Sequence, residues 1–335
     1  MALSYYEICK IKNIIDHDLE AIKPCKVLCL GYPDILVTKE QFLELFSVED
    51  FNKIQTREDN IDVAVTHKVE ELIEWACESY SLFEVMGAEL IITDFTSWTG
   101  KEKVLDLNYP VQEQEYNQFD IIIDPGTTEH IFNIAQAMQN ILYMAKVGGF
   151  IYHQTPYNFP NHGFYSFSPT FYIDFYEDNG AKLLSCNTMQ SDCKTEETPL
   201  ELREPFELPL GANSVFIKKI KEQTIKYPVQ GKYKNSFNNQ VELDACKEFF
   251  SNDSTLALVP YNNHSKFYKN FFADKQVTIF DDNYLLQKHF GIKPIATIVD
   301  MQFDKILITS LTFEKKIRAK LLAMGISNEK IFLQV

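Results

Sequence analysis

The chain alternates short, continuous apolar runs with longer segments carrying a helical apolar stripe. Residues 26–31, KVLCLG, read as a buried strand ending at a glycine. A variable stretch with charge and turn residues follows between Thr38 and Asn60. From Lys68 the pattern predicts a helix, with Val69, Leu72, Ile73, Ala76, Cys77 and Tyr80 on one face and Gly87 as its stop. Glu89 to Asp94, Val104 to Leu107 and Phe119 to Asp124 read as strands, the last apolar enough to be covered on both faces. A stripe through Ile131, Ile134, Ala135, Met138, Ile141, Leu142 and Ala145 predicts a helix over 129–146, stopped by Gly148-Gly149 before a strand at Phe150 to His153. Pro169 to Asn179 reads as a helix closed by Gly180, and Lys182 to Cys186 and Ser214 to Lys219 as strands.

This β-α succession predicts an α/β fold with a doubly wound, Rossmann-like sheet. Polarity rises between Lys221 and Gln240, where Pro228 and Gly231 mark a linker. A second alternation follows, with strands at Thr255 to Val259, Val277 to Phe280, Lys305 to Thr309 and Ile331 to Leu333, and a helix from Phe313 to Met324. The expected division is therefore a domain over 1–220, a linker over 221–240, and a second, smaller α/β domain over 241–335.

The 335 residues suit two domains. Thirty-two Lys+Arg against 47 Asp+Glu give a net charge of −15, which argues against nucleic-acid and anionic-membrane partners and leaves room for a small-molecule substrate. No run approaches a membrane span: the best, Ile131 to Tyr152, is broken by Asn133, Gln136, Asn140 and Lys146. The first twenty residues lack a signal peptide's pattern, and seven cysteines form no paired framework, so the expectation is a cytoplasmic protein. Cys25 and Cys29, four apart on a strand, have no second Cys/His pair and read as core. No metal site is expected.

In an open α/β sheet, ligands bind beyond the carboxyl ends of the strands. Those ends carry Gly31-Tyr32-Pro33-Asp34, Asp94, Asp106-Leu107-Asn108, Asp124 to His130, and His153 to Tyr157. Acids recurring at successive ends suit the ribose hydroxyls of an adenosine ligand, although any one such Asp can equally be a helix cap or turn residue. The turn after the first strand has one glycine, not the G-x-G-x-x-G cradle of a nicotinamide dinucleotide. A sulfonium, with positive charge and no phosphate, is compatible with a carboxylate rim. Asn161 to Ser166, NHGFYS, places an imidazole and a phenol around a glycine past the fifth strand. His162 is the first choice for a general base, with Glu129 and His130 second. The alternatives are a loop histidine bonded to backbone for His162, and capping or packing for His130.

Residues 25–220 resemble the class I S-adenosylmethionine-dependent methyltransferases. The resemblance is carried by Thr128-Glu129-His130-Ile131 after the fourth strand and Lys146-Val147-Gly148-Gly149 before the fifth. A narrower resemblance, to a bacterial group of methyltransferase-like proteins, rests on GYPDIL, on a GT-x-EH-x-FN segment at Gly126 to Asn133, and on an NHGFY-x-x-x-PT segment at Asn161 to Thr170. The first motif has a single glycine, and Gly31 lies farther from Asp94 than in a compact methyltransferase. The resemblance implies S-adenosylmethionine as cofactor. It places Asp94 at ribose, Asp106 and Leu107 near adenine, and Gly31 and Asp124 near the methionine portion, with Tyr32 and Gly126 also in the cofactor site and His162, Tyr165, Glu129 and His130 as the catalytic candidates. It implies a small polar acceptor, such as a sugar or sugar nucleotide of surface-polysaccharide biosynthesis, and admits a homo-oligomer. A non-catalytic binding or scaffold protein that has lost the cofactor is the alternative. The smaller domain resembles the modules attached to some sugar methyltransferases and acyltransferases, without their glycine-rich turn.

Overall fold

The structure is a computed structural model, and it describes residues 2–97, 99–190, 198–199, 211–231, 240–310 and 313–333. The chain forms two compact units, 1–202 with 206–228, and 203–205 with 229–335.

The first unit begins with β1 (Ala2–Ser4) and α1 (Tyr5–Asn13), then β2 (Cys25–Leu30) and β3 (Asp34–Leu36). Helices α2 (Lys39–Leu45), α3 (Val48–Phe51), α4 (Asn60–His67) and α5 (Ser79–Val85) lead to β4 (Ala88–Asp94), β5 (Lys103–Val104) and β6 (Phe119–Asp124). The unit closes with α6 (Ile134–Met144), β7 (Ala145–Pro156), α7 (Pro169–Asp178), β8 (Ala181–Gln190), β9 (Thr198–Pro199) and β10 (Gly211–Lys219). Its main sheet has the order β5-β4-β2-β6-β7-β10-β8-β9. The strands from β5 to β7 run parallel, and β10 is antiparallel to both β7 and β8. This is a doubly wound, Rossmann-like α/β sheet.

Alternation along the strands separates two cores. Cys25, Val27 and Cys29 of β2 pack with Ile121, Ile123 and Tyr152 on the face that also buries Ile8, Ile11, Leu82 and Phe83. Both cysteines are therefore core residues, and burial pushes the Cys25 thiol up to about 11. Leu28, Leu30, Ile122 and Ile151 face the opposite layer, against Met138, Ile141 and Leu142 of α6 and Tyr172 and Tyr176 of α7.

Helix boundaries depart from the apolar pattern. The helix expected from Lys68 is broken: Lys68 takes a left-handed conformation (φ 57°), Glu70–Ile73 make a 3-10 turn, and α5 begins only after Glu78, whose side chain accepts the Ser81 N–H. The helix expected over 129–146 starts later, because Thr128–His130 form a 3-10 turn and Asn133 caps α6 by accepting Gln136 N–H. It also ends earlier, with Ala145 opening β7. The strand expected through Leu107 is shorter, since β5 ends at Val104.

Residues 221–228, read from sequence as the start of a linker, are tied to the first unit. Asn179, 1% exposed, donates to Lys226 O (2.9 Å) and accepts Lys226 N–H (2.7 Å), and Ile225 packs on the second core. Residues 232–239 of the expected linker lie outside the described residues.

The second unit contains α8 (Gln240–Phe249), β11 (Thr255–Val259), α9 (Asn263–Phe271), β12 (Gln276–Ile279), α10 (Tyr284–Phe290), β13 (Lys305–Ile308), α11 (Glu314–Ala323) and β14 (Ile331–Leu333). Its sheet is all parallel, in the order β12-β11-β13-β14. The turn after β11 is a helix cap, Asn262 accepting Ser265 N–H. Asp281 and Asp282 accept backbone N–H groups of Tyr261, Asn283 and Ile295. Among the described residues no helix is long and apolar enough to cross a membrane.

The Asn179–Lys226 tie gives a direct expectation. A fragment ending at Pro228 should unfold at higher denaturant than one ending at Ile220, because the shorter chain orphans a buried amide at about 1–3 kcal/mol per unsatisfied group. Equal urea midpoints for the two fragments would remove 221–228 from the first unit.

Candidate functional site

The sheet reverses its winding between β2 and β6, which is where an open α/β sheet leaves a crevice at its carboxyl edge. A cleft of about 520 Å³ lies there, walled by the ends of β2, β4 and β6 and by the loop after β7.

At the end of β2, Gly31 turns the chain with φ 86°, a conformation that favours glycine. Its N–H donates to Thr93 O at 2.7 Å, so this turn is tied to β4 and that donor is engaged. The chain then enters β3, not a helix. At the end of β4, Asp94 lines the cleft. Its Oδ1 accepts a long bond from Thr96 N (3.4 Å), and among the described residues no other side-chain hydrogen bond engages this carboxylate. Past β5, Asp106 accepts from the backbone and side-chain nitrogens of Asn108 (2.9 and 2.8 Å). Leu107, 5% exposed, forms apolar wall with Ile131.

That wall is anchored by a residue that in the sequence stands only as a polar break in the apolar run from Ile131 to Tyr152. Asn140, buried in α6, donates to Leu107 O (3.1 Å) and Tyr109 O (2.8 Å) and accepts Val111 N–H (3.1 Å). An amide within an otherwise apolar stripe was the available signal, because a buried polar group must find partners.

Asp124 corrects an expectation. The sequence reading sets it near the ligand, but it is fully buried beneath the cleft. Its carboxylate accepts Thr127 N–H (2.9 Å), Thr128 N–H (3.2 Å), the Thr128 hydroxyl (2.5 Å) and His153 Nδ1–H (2.7 Å). His153 Nε2 in turn meets the Tyr176 hydroxyl at 2.6 Å. The Thr127 hydroxyl donates to Leu30 O, joining the turn after β6 to β2. Asp124 therefore shapes the 125–128 turn that carries Gly126 and Glu129 into the wall.

Glu129 sits at the far end of the cleft with its side chain 2% exposed. Burial, and after it the Asp124 charge, pushes its carboxyl up to about 8. Its Oε2 is buried without a hydrogen-bond partner. Gly126 (φ 103°) backs it, since a Cβ there would lie 3.2 Å from Glu129 Oε1. The Glu129 backbone carbonyl accepts Phe164 N–H (2.8 Å) and Tyr165 N–H (3.3 Å). A Cβ at Gly163 would come within 2.7 Å of that carbonyl oxygen, so only glycine permits this approach.

This close approach of Gly163 brings His162 to the cleft, its Nε2 3.7 Å from Glu129 Oε1, and His130 Nε2 lies 4.0 Å from the same oxygen. The two rings meet edge to face at 5.1 Å. Burial, with His162 second, holds the His130 imidazole below its ordinary value. The ligating atoms of Glu129, His130 and His162 all lie within 4.8 Å of one another.

Of the sequence-derived candidates, Gly31, Asp94, Asp106, Leu107, Gly126, Glu129, His130 and His162 line the cleft. Three do not. Asp124 lies beneath it. Tyr32 turns towards a second depression, where its hydroxyl donates to Glu78 (2.9 Å) and Arg57 covers its ring. Tyr165 closes the loop by donating its hydroxyl to Phe132 O (2.7 Å). Among the described residues lining the cleft, none is Lys or Arg, while Asp94, Asp106 and Glu129 are acids.

Comparison with family models gives no match, and comparison with curated protein sequences gives none. Among solved structures, the chain is similar to the 1,6-didemethyltoxoflavin-N1-methyltransferase of Burkholderia thailandensis, solved with 1,6-didemethyltoxoflavin and S-adenosylhomocysteine. The identity is 10%, over 64% of this chain and 78% of that one, with a TM-score of 0.37. TehB from Haemophilus influenzae is similar at 12% identity over 62% of each chain, TM-score 0.34. The CMeT domain of the citrinin polyketide synthase is similar at 13% identity over 64% of this chain and 52% of that one, TM-score 0.35.

The buried Asp124 carboxylate sets a pH expectation. Its hydrogen bonds, His153 first among them, outweigh burial and hold its pKa below the ordinary aspartate value of 3.8. A depressed folded-state pKa contributes stability that is present above the ordinary value and lost as pH falls through the lower one. Asp124→Asn should lower stability at neutral pH by at least about 1.5–3 kcal/mol, the contribution of one hydrogen bond to a charged group, and should flatten the acid limb of stability against pH. An unchanged urea midpoint and acid limb would show that the turn does not depend on this charge.

Proposed function

We propose that the cleft binds S-adenosylmethionine and that the protein transfers its methyl group to a small polar acceptor. The observation that carries this is the cleft's charge pattern: Asp94 at the end of β4 and Asp106 just past β5, with no Lys or Arg among the described lining residues. A dinucleotide pyrophosphate needs free N–H donors and a helix N-terminus after the first strand. Here the Gly31 N–H is engaged by Thr93 and the next element is β3. A sulfonium needs neither and is attracted by nearby carboxylates.

The residues present fit such a ligand. Asp94, with a carboxylate little engaged by the protein, would hold the ribose hydroxyls. Leu107 and Ile131 offer apolar surface to adenine. Gly31 and Gly126 keep the backbone open around the amino-acid portion. The ligand supplies, when bound, a methyl group activated by positive sulfur. The chain's task is then to place an acceptor and take up its proton. Glu129, His130 and His162 form the polar corner for that task, and His162, exposed and uncommitted to any side-chain hydrogen bond among the described residues, is the first choice to accept the proton. A hydroxyl acceptor suits this corner, and a sugar or sugar nucleotide is the class we assign. A non-catalytic relative is favoured only by the single-glycine turn after β2.

Two measurements test the reading. Calorimetric titration with S-adenosylhomocysteine should show binding by the wild type. Asp94→Ala should weaken it by roughly ten- to a hundredfold, because bonds to a charged group contribute about 1.5–3 kcal/mol. No heat and no thermal shift at millimolar ligand would leave the non-catalytic reading, and preference for NADH in a parallel titration would mean a nicotinamide site. In a screen of sugar acceptors scored by S-adenosylhomocysteine release, His162→Ala should melt with the wild type and lose about 10²–10⁴-fold in rate. Full activity in that variant would return His162 to a purely structural role.

A further inference from the structure

We infer that Glu129, His130 and His162 form a binding site for a first-row divalent cation at the acceptor end of the cleft. Their ligating atoms converge within 4.8 Å, with Glu129 Oε1 lying 3.7 and 4.0 Å from the two imidazole Nε2 atoms. These separations are too long for hydrogen bonds. They are close to the spacing of ligands around one ion, since metal–nitrogen and metal–oxygen bonds of about 2.0–2.2 Å put neighbouring ligands roughly 3–3.4 Å apart. Closing to that spacing takes about 0.5–1 Å at Glu129 Oε1 and up to about 1.5 Å for the widest pair of the set, and both histidine side chains are half exposed and able to turn.

An independent observation points the same way. Glu129 Oε2 is buried in the cleft wall with no hydrogen-bond partner, on a side chain 2% exposed. Oε1, the oxygen that faces the two imidazoles, likewise makes no hydrogen bond among the described residues, and a buried carboxylate without protein partners is costly unless it takes a proton or its open oxygen meets a ligand. Neither imidazole makes a side-chain hydrogen bond among the described residues, so no competing partner has to be displaced. Gly126 leaves room behind Glu129 Oε1, and the Phe164 and Tyr165 N–H groups hold the residue's backbone carbonyl. The two histidines reach it from different segments, brought together by the Gly163 approach.

Two imidazoles and one carboxylate suit zinc, cobalt, manganese or iron better than magnesium or calcium, which prefer all-oxygen shells. Three protein ligands leave positions open to the cleft. The role we give the ion rests on the methyl-transfer reading: an acceptor hydroxyl bound there would release its proton to solvent more readily, as metal-bound water does. The ion then takes over the activation assigned above to a histidine base.

The test uses full-length protein stripped with chelator. Titration with Co²⁺, followed by visible absorption, and with Zn²⁺, followed by heat, should show one ion per chain, with Mg²⁺ as the weak control. His130→Ala and His162→Ala, at half-exposed positions, should keep the melting temperature and weaken Co²⁺ by roughly 10–100-fold or more, since even groups that only orient a metal ligand are worth that much. Glu129→Gln should do the same if it folds. No Co²⁺ spectrum at millimolar metal, or binding indifferent to both histidine substitutions, would overturn the site. S-adenosylhomocysteine is titrated separately. Co²⁺ binding without it keeps the site and overturns the ion's role, whereas its binding without Co²⁺ keeps methyl transfer and overturns the site.

Discussion

Burying the Asp124 carboxylate beneath the sheet edge would cost several kcal/mol if its oxygens went unmet. The chain meets them by folding residues 125–128 back over β6, so that two backbone N–H groups, a threonine hydroxyl and His153 all point at one side chain. That turn fixes where Glu129 emerges. Glu129's carbonyl then fixes where the loop from Asn161 to Tyr165 lies, because only a glycine at 163 can approach it. Two segments more than thirty residues apart in sequence thus contribute to one polar corner through a backbone contact. His162 is a cleft residue because its neighbour has no side chain.

The other end of the cleft is built on a different principle. Asp94 and Asp106 stand at strand ends, and Asn140 reaches from α6 to hold the Leu107 wall through three backbone groups. The result is an apolar floor with acids at its rim and, among the described lining residues, no fixed cation. In a partly desolvated crevice that pattern favours a cationic ligand and opposes a phosphorylated one, since charges interact more strongly there than in water. The overall charge of −15 acts in the same direction at long range.

The strands were legible because parallel strands covered on both faces read as continuous apolar runs: 119–124 and 26–30 are such runs. Helix ends were harder. The stripe from Val69 to Tyr80 looks continuous, yet Lys68 takes a left-handed conformation and Glu78 caps a new start. Helix α4, at Asn60–His67, begins at the edge of the stretch read as variable. At the site, the rule that ligands meet strand ends selects residues that do line the cleft, Gly31, Asp94 and Asp106 among them. It fails for Asp124 and Tyr32, and the loop segment fails for Tyr165, because position in the chain says nothing about which neighbour takes up a side chain's polar atoms. His153, Glu78 and the Phe132 carbonyl do so here. Convergence of His130 and His162 on one carboxylate was not legible either, since it depends on the Gly163 contact.

The most direct measurement is a crystal structure of the full-length protein soaked with S-adenosylhomocysteine. A ligand bound as proposed sets its ribose hydroxyls on Asp94, its adenine against Leu107 and its thioether facing the Gly126–Glu129 wall. Density for the ligand outside this cleft, or in the cleft with the ribose away from Asp94, would contradict it.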